Sequence, residues 1–335
     1  MTGDIILENT DLRVTLSPDV GGTVTDVFHK GLNLSVLGQV PWDFVRQPEP
    51  GLILASEASW LTRYTGGWPL MFPNAGDACR FRGADHGFHG EASLAPWQVT
   101  PLGMGVRLQR RFFAVPVRMT RSFTLDGDVL QLTETAVAEG VDDVEVMWAQ
   151  HVTFGSDLLD GPVIIECGAA RVTVDAAYDP PANPWIAGAV GDWPQVPAKT
   201  GPADASRPEG PMSAFAFLTG FDRRFVAIRR LDGSVGAALS WEGDVYDCVW
   251  YWCELGGSTE PPWYGRGRLI GLEPSSTSSG HGLADAARRG ARLIQLRPGQ
   301  PVTATLRLHV FQPTGAVTGT DTAGRATGQG RGLDT

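Results

Sequence analysis

The chain has 335 residues, of which 42% are hydrophobic and 19% charged, and its formal charge is −10. The acids are scattered and no Lys/Arg stripe follows a phosphate backbone, so nucleic acid is not expected as a partner. No apolar run reaches the length of a membrane span, and the opening "MTGDIILENTDLRVTL" lacks the basic region and unbroken apolar run of a secretion signal, so no membrane contact and a cytoplasmic location are expected.

Forty-two glycines and 24 prolines signal many turns and few long helices. Near the start, Leu12, Val14 and Leu16 alternate with Arg13 and Thr15, the period-two pattern of a half-buried strand. In "RSFTLDGDVLQLTETAV", Asp126-Gly127 separates two such runs and predicts a hairpin. From Tyr178 to Pro211 the chain is rich in proline, glycine and alanine, which predicts a long loop over the sheet, pinned by Trp185, Ile186 and Trp193. "FVAIRRLDGSVGAALSW" repeats the hairpin device at Asp232-Gly233. "GLADAARRGAR" is the one fair helix and is too short to form a layer. Val302, Ala304, Leu306, Leu308 and Val310 alternate with polar residues and predict a long strand. The expected class is all-β, a sandwich or barrel of antiparallel strands in a single domain over 1–313. Beyond Pro313 the composition falls to Thr, Gly, Ala and Arg, which predicts a disordered tail over 314–335.

Cys79, Cys167, Cys248 and Cys253 form no CxxC pair and read as reduced, buried thiols. Three stretches place titratable groups at the edge of a β-run beside turn residues: "GGWPLMFPNAGDACRFRGADHGFHGEASLAPW" (66–97), "WAQHVTFG" (148–155) and "RLIGLEPSSTSSGHG" (268–282). The candidates they carry are His89, His151 and Glu273. Glu273 sits between "LIGL" and a proline, where burial would raise its pKa into the range of a general base; an exposed loop acid is the alternative. For His151 the alternative is a hydrogen-bonded sheet histidine. His86 and His89, with Asp77, Cys79 and Asp85 nearby, match no tight zinc spacing, so no metal is expected. GxSxG, Walker A and Rossmann fingerprints are absent, which leaves acid/base chemistry without a cofactor.

Taken together, these stretches resemble the aldose 1-epimerases, the galactose mutarotase-like family. The "GG" turn after a first strand in "LRVTLSPDVGGTVTDV", then "GGWPLMFP", then His89-Gly90 with Trp97 eight residues on, then "QHVTF" at His151 and "IGLEP" at Glu273 follow the family's order nearly to Phe311. The resemblance implies a large antiparallel β-supersandwich with a sugar in a groove across one sheet. It implies Glu273 as the base that takes the anomeric hydroxyl proton, His151 as the acid that protonates the ring oxygen, and His89 as a group that orients the sugar. Asn74, Arg80, Arg82, His86, Trp97 and Trp250 are the expected substrate-binding residues. Family members often carry an arginine beside an asparagine or glycine shortly before the first histidine. Here Asn74-Ala75 and Gly76-Asp77 occupy that place, and the arginines come later, at Arg80 and Arg82. The expected function is interconversion of α and β anomers of a small-molecule sugar by a monomer or homodimer. An epimerase of an anionic sugar, with Arg80 or Arg82 on the anion, and a non-catalytic carbohydrate-binding protein are the alternatives.

Overall fold

The computed structural model describes residues 3–42 and 56–328. Two large antiparallel sheets make up most of the chain. The first runs, edge to edge, through strands Val163–Cys167, Phe225–Arg230, Gly236–Glu242, Pro301–Phe311, Val129–Ala138, Val117–Asp126, Gly105–Arg111 and Gln98–Leu102. The second runs through Val190–Asp192, Arg171–Val174, Met212–Thr219, Cys248–Leu255, Arg268–Ser275, Ala149–Gln150 and Leu70–Met71, with Thr153–Phe154 also paired to Arg268–Ser275. A four-stranded N-terminal sheet, Ile5–Glu8 to Leu34–Ser35, joins the same core. The fold class is all-β, as the alternation implies.

Both expected hairpins form. Asp126 pairs with Val129 around Gly127, whose φ of 57° suits glycine at little cost, and Arg229 pairs with Gly236 around the second turn. Gly282–Arg288 is helical, and a second short helix, Glu57–Leu61, lies in a stretch without helical patterning. The 178–211 excursion is not all loop: Val190–Asp192 extends the edge of the second sheet, and Trp185 packs 5.5 Å from Tyr251. Ile186, expected to help pin it, is 46% exposed.

The core lies between the sheets. Leu130, Leu132, Leu306 and Leu308 from the first meet Val249, Tyr251, Ile270 and Leu272 from the second in one cluster of buried side chains. Strand alternation then sends Trp250 and Trp252, and across from them Glu273 and Gly271, to the other face of the second sheet. That face is covered in turn by loops, so Glu273 is buried although it points away from the main core.

Residues 314–328 correct the expectation of a disordered tail; 329–335 lie outside the described residues. Gly319–Thr320 pairs with Ala326–Thr327, and Val317 is buried against Phe225, Phe311 and Ala238 on the outer side of the first sheet. Composition registers too little apolar area to dock. It does not register one valine placed in a cleft, or polar contacts such as the Val317 N–H donated to Glu166 at 2.9 Å and the Ala326 N–H donated to His309 Nδ1 at 3.0 Å. Among the described residues, no helix is long and apolar enough to cross a membrane.

Candidate active site

A cavity of about 130 Å³ opens on the loop-covered face of the second sheet, and His89, His151 and Glu273 all line it. Each of the three arrives from a different element. Glu273 stands on strand Arg268–Ser275, opposite Trp250. His151 follows Ala149–Gln150, a short strand inserted between Arg268–Ser275 and Leu70–Met71. His89 lies in the irregular segment beyond the Cys79–Phe81 and Ala84–His86 hairpin.

The inner side of the His151 segment is anchored by a buried polar network. Arg121 and Glu134, both fully buried, pair at 2.7 Å, and Glu134 Oε2 accepts from Trp148 Nε1, Gln150 Nε2 and the Tyr246 hydroxyl. Alternation points Gln150 into this network and His151 to the cavity. His151 Nδ1 is 2.9 Å from the Thr153 hydroxyl, which lies 2.7 Å from that of Tyr64, and 3.6 Å from Glu273 Oε1. Glu273 makes no hydrogen bond among the described residues. Burial pushes its carboxyl well above the ordinary range and pushes His151 down to about 4. Both groups therefore favour their neutral forms, and the pair holds one proton, on Glu273. Glu273 can fold back along its strand because residue 271 is glycine: a Cβ there would lie 2.3 Å from Glu273 Oε1.

His89 is held in the left-handed region, at φ 56°, which costs a non-glycine residue energy unless its surroundings enforce it. Gly76 does so from both sides: its N–H donates to His89 Nδ1 at 3.0 Å, and its carbonyl accepts the His89 N–H at 2.9 Å. With Nδ1 an acceptor, the neutral ring carries its proton on Nε2. Burial, and His151 nearby with ring centres 5.3 Å apart, keep the His89 pKa well below its ordinary value. Gly76 admits no side chain, since a Cβ would lie 1.8 Å from the Gly280 carbonyl oxygen.

Of the six expected substrate-binding residues, only Trp250 lines the cavity, and its Nε1–H is spent on the Thr277 carbonyl at 2.7 Å. Arg80 pairs with Asp85 and Arg82 with Glu145, both on the exposed surface away from it. Trp97 is core, packed on Phe112. Asn74 is fully buried and serves the backbone, donating to the Asp77 and Gly87 carbonyls and accepting from Leu283 N–H. His86 is buried outside the cavity. Cys79 and His86 are cross-strand partners in the 79–86 hairpin, but among the described residues no three His, Cys, Asp or Glu side chains converge as metal ligands.

Sequence reasoning missed His281 and the aromatic wall. His281 lines the cavity and its two nitrogens meet Asp77 at 3.0 Å and Asp175 at 3.0 Å, which raises its pKa to about 10, Asp175 contributing most. Its one signal was its place in "SSTSSGHG", the turn-rich run that follows Glu273. Trp60 stacks on Tyr64 at 4.5 Å and stands edge-on to His89 at 4.7 Å, while Trp252 and Trp263 close another side. No sequence pattern marks these rings. A larger cleft of about 760 Å³, bordered by Arg207, Arg266 and Leu255, contains no histidine and none of the expected catalytic residues.

No family model matches the chain, and no curated protein sequence matches it. Solved structures do. The Slr1438 protein of Synechocystis sp. PCC 6803 superposes with a TM-score of 0.67 at 18% identity, covering 93% of this chain and 96% of that one. The GalM/aldose epimerase homologue of C. elegans gives 0.62 at 14%, with 92% and 99% covered. The galactose mutarotase related enzyme of Lactobacillus acidophilus gives 0.60 at 13%, with 92% and 97% covered. The fold is thus the galactose mutarotase-like β-supersandwich.

Proposed function

We propose that the protein is an aldose 1-epimerase that interconverts the α and β anomers of a sugar by opening and closing its ring. Opening a hemiacetal requires removal of the anomeric hydroxyl proton and delivery of a proton to the ring oxygen. Both oxygens are bonded to the same carbon, so the acid and base must stand close together. The observation that carries the reading is the 3.6 Å separation of His151 Nδ1 and Glu273 Oε1 inside one cavity. A pair sharing one proton can act in either sense: one member accepts from the anomeric hydroxyl while the other donates to the ring oxygen, and closure on the opposite face restores the starting state. The resemblance assigned Glu273 as base and His151 as acid; burial instead favours starting with the proton on Glu273, so that in ring opening Glu273 donates to the ring oxygen while His151 accepts from the anomeric hydroxyl, and closure returns both protons. His89 Nε2–H is suited to donate to the ring oxygen or a neighbouring hydroxyl, and Trp60 and Trp252 offer faces for the apolar side of the ring. The positions of Arg80 and Arg82 remove the residues on which an anionic-sugar reading relied.

The test is exchange between anomeric proton signals of neutral aldoses, followed by NMR with and without the protein. Acceleration by the parent chain and its loss in Glu273→Gln supports the reading. A folded protein that binds sugars without accelerating exchange would be a carbohydrate-binding protein instead.

A further inference from the structure

The charges around the cavity define the substrate class further, and this inference rests on the site being a sugar site. Glu57, Asp77 and Glu273 line it, and no lysine or arginine does so among the described residues. His281 is the one cation at the wall, and it is not free to meet an anion: both its ring nitrogens lie at hydrogen-bond distance from carboxylates, those of Asp77 and Asp175. With an acceptor on each nitrogen, the ring is a doubly protonated imidazolium whose donors are spent. Asp77 uses Oδ2 in that pair and keeps Oδ1; its side chain is 58% exposed. Asp77 and Asp175 against His281 leave one negative charge, and Glu57 adds a second. Deeper in, Glu273 is 2% exposed and makes no hydrogen bond among the described residues; neutral, it adds no charge, but its carbonyl oxygen awaits a donor from the ligand. Aromatic rings line the same cavity, among them Trp60, Tyr178 and Phe215. Carboxylates and aromatic rings sharing one cavity suit a cation, which can gain both Coulomb and cation–π attraction. A phosphate or carboxylate would be desolvated here with no available positive partner among the described residues.

We propose that the cavity selects for an aldose bearing a protonated amino group, with Asp77 and Glu57 as the carboxylates that meet the ammonium, and discriminates against sugar phosphates.

The experiment measures anomer exchange at pH 6, where a sugar amine is protonated. The sugars are glucosamine and galactosamine, their neutral parents glucose and galactose, and glucose 6-phosphate. The expected order of KM is amino sugar below neutral parent below phosphate, with a step of about two- to fivefold between the first two. Glu57→Gln and Asp77→Asn should each shrink that step. Glu57 is exposed on a short helix, so its substitution keeps the test valid even if Asp77→Asn disturbs folding. Equal KM for amino and neutral sugars, or turnover of the phosphate as good as that of its parent, overturns the proposal and leaves the epimerase reading intact. If no sugar is turned over, dissociation constants from NMR titration replace KM: the same charge order upholds the charge selection while the epimerase reading falls, and a flat order or no binding ends both.

Discussion

His151 Nδ1 lies 3.6 Å from Glu273 Oε1, and the two residues, 122 apart in sequence, meet because the strand that His151 follows neighbours Arg268–Ser275 in the second sheet. Their environments push both towards neutrality, so they act as one unit with one transferable proton. Glu273→Gln and His151→Asn should each lower the rate of anomer exchange by about two to four orders of magnitude with folding retained. The double variant should be scarcely slower than either single one. Additive losses would separate the two residues mechanistically.

The pH profile should report the same pair. Activity needs one proton shared between the two groups, so it should fall on the acid side as His151 protonates near 4, and on the alkaline side as Glu273 loses its proton, well above 4.5. Stability follows with opposite signs. His151 has its folded pKa depressed from 6.5 to about 4, so its contribution is complete above 6.5 and is lost as pH falls through about 4. Glu273 has a raised pKa, so its contribution is complete below 4.5 and is lost as pH rises through the folded value. Denaturant melts of His151→Asn across pH 3 to 7 should show a shallower acid decline than the parent, by up to about 3 kcal/mol.

Gly271→Ala tests the seating of the carboxylate without touching a reacting group. A Cβ at 2.3 Å from Glu273 Oε1 must displace it. A shift of about 1 Å in a catalytic group costs on the order of 10²-fold, so kcat/KM should fall about that far. Unchanged kinetics in a folded variant would mean that Glu273 has room to act from another rotamer.

His281 should also matter to stability. Its folded pKa is raised from 6.5 to about 10, so its contribution is complete below 6.5 and is lost as pH rises through about 10. His281→Asn leaves Asp77 and Asp175 facing each other without the imidazolium. The variant should melt below the parent at pH 7, and the gap should close towards pH 11. A constant gap across that range would assign the loss to packing alone.

The C-terminal segment gives a prediction opposite to the one composition suggests. Ending the chain at Pro313 should lower the melting temperature, because it uncovers Phe311 and Phe225 and leaves Glu166 without the Val317 N–H. Burial of one valine is worth roughly 1.5–3 kcal/mol, so Val317→Asp in the full chain should show a loss of that order. An unchanged melting curve for the truncation would show that the docked segment contributes nothing.

Much of the architecture is determined locally. Period-two alternation in 302–310, and the Asp-Gly turns at 126 and 232, fix strand faces and hairpins through φ/ψ sterics and burial of one face, and neither depends on distant residues. The order of His89, His151 and Glu273 among turn residues likewise marks the three groups that converge. What tertiary structure alone decides is which side chains join them. Arg80, Arg82 and Trp97 lie in the same turn-rich stretch as His89, but the hairpin at 79–86 turns both arginines towards surface carboxylates, and Trp97 falls into the core. His281, Tyr64 and Trp252 reach the cavity through pairings across scores of residues, and Asp77 and Asp175, 98 positions apart, become a pair only by way of His281. Local propensity acts over a few residues, whereas a binding cavity is made where long-range sheet register brings loops together. The cavity's chemistry is therefore written in contacts that no single stretch of sequence contains.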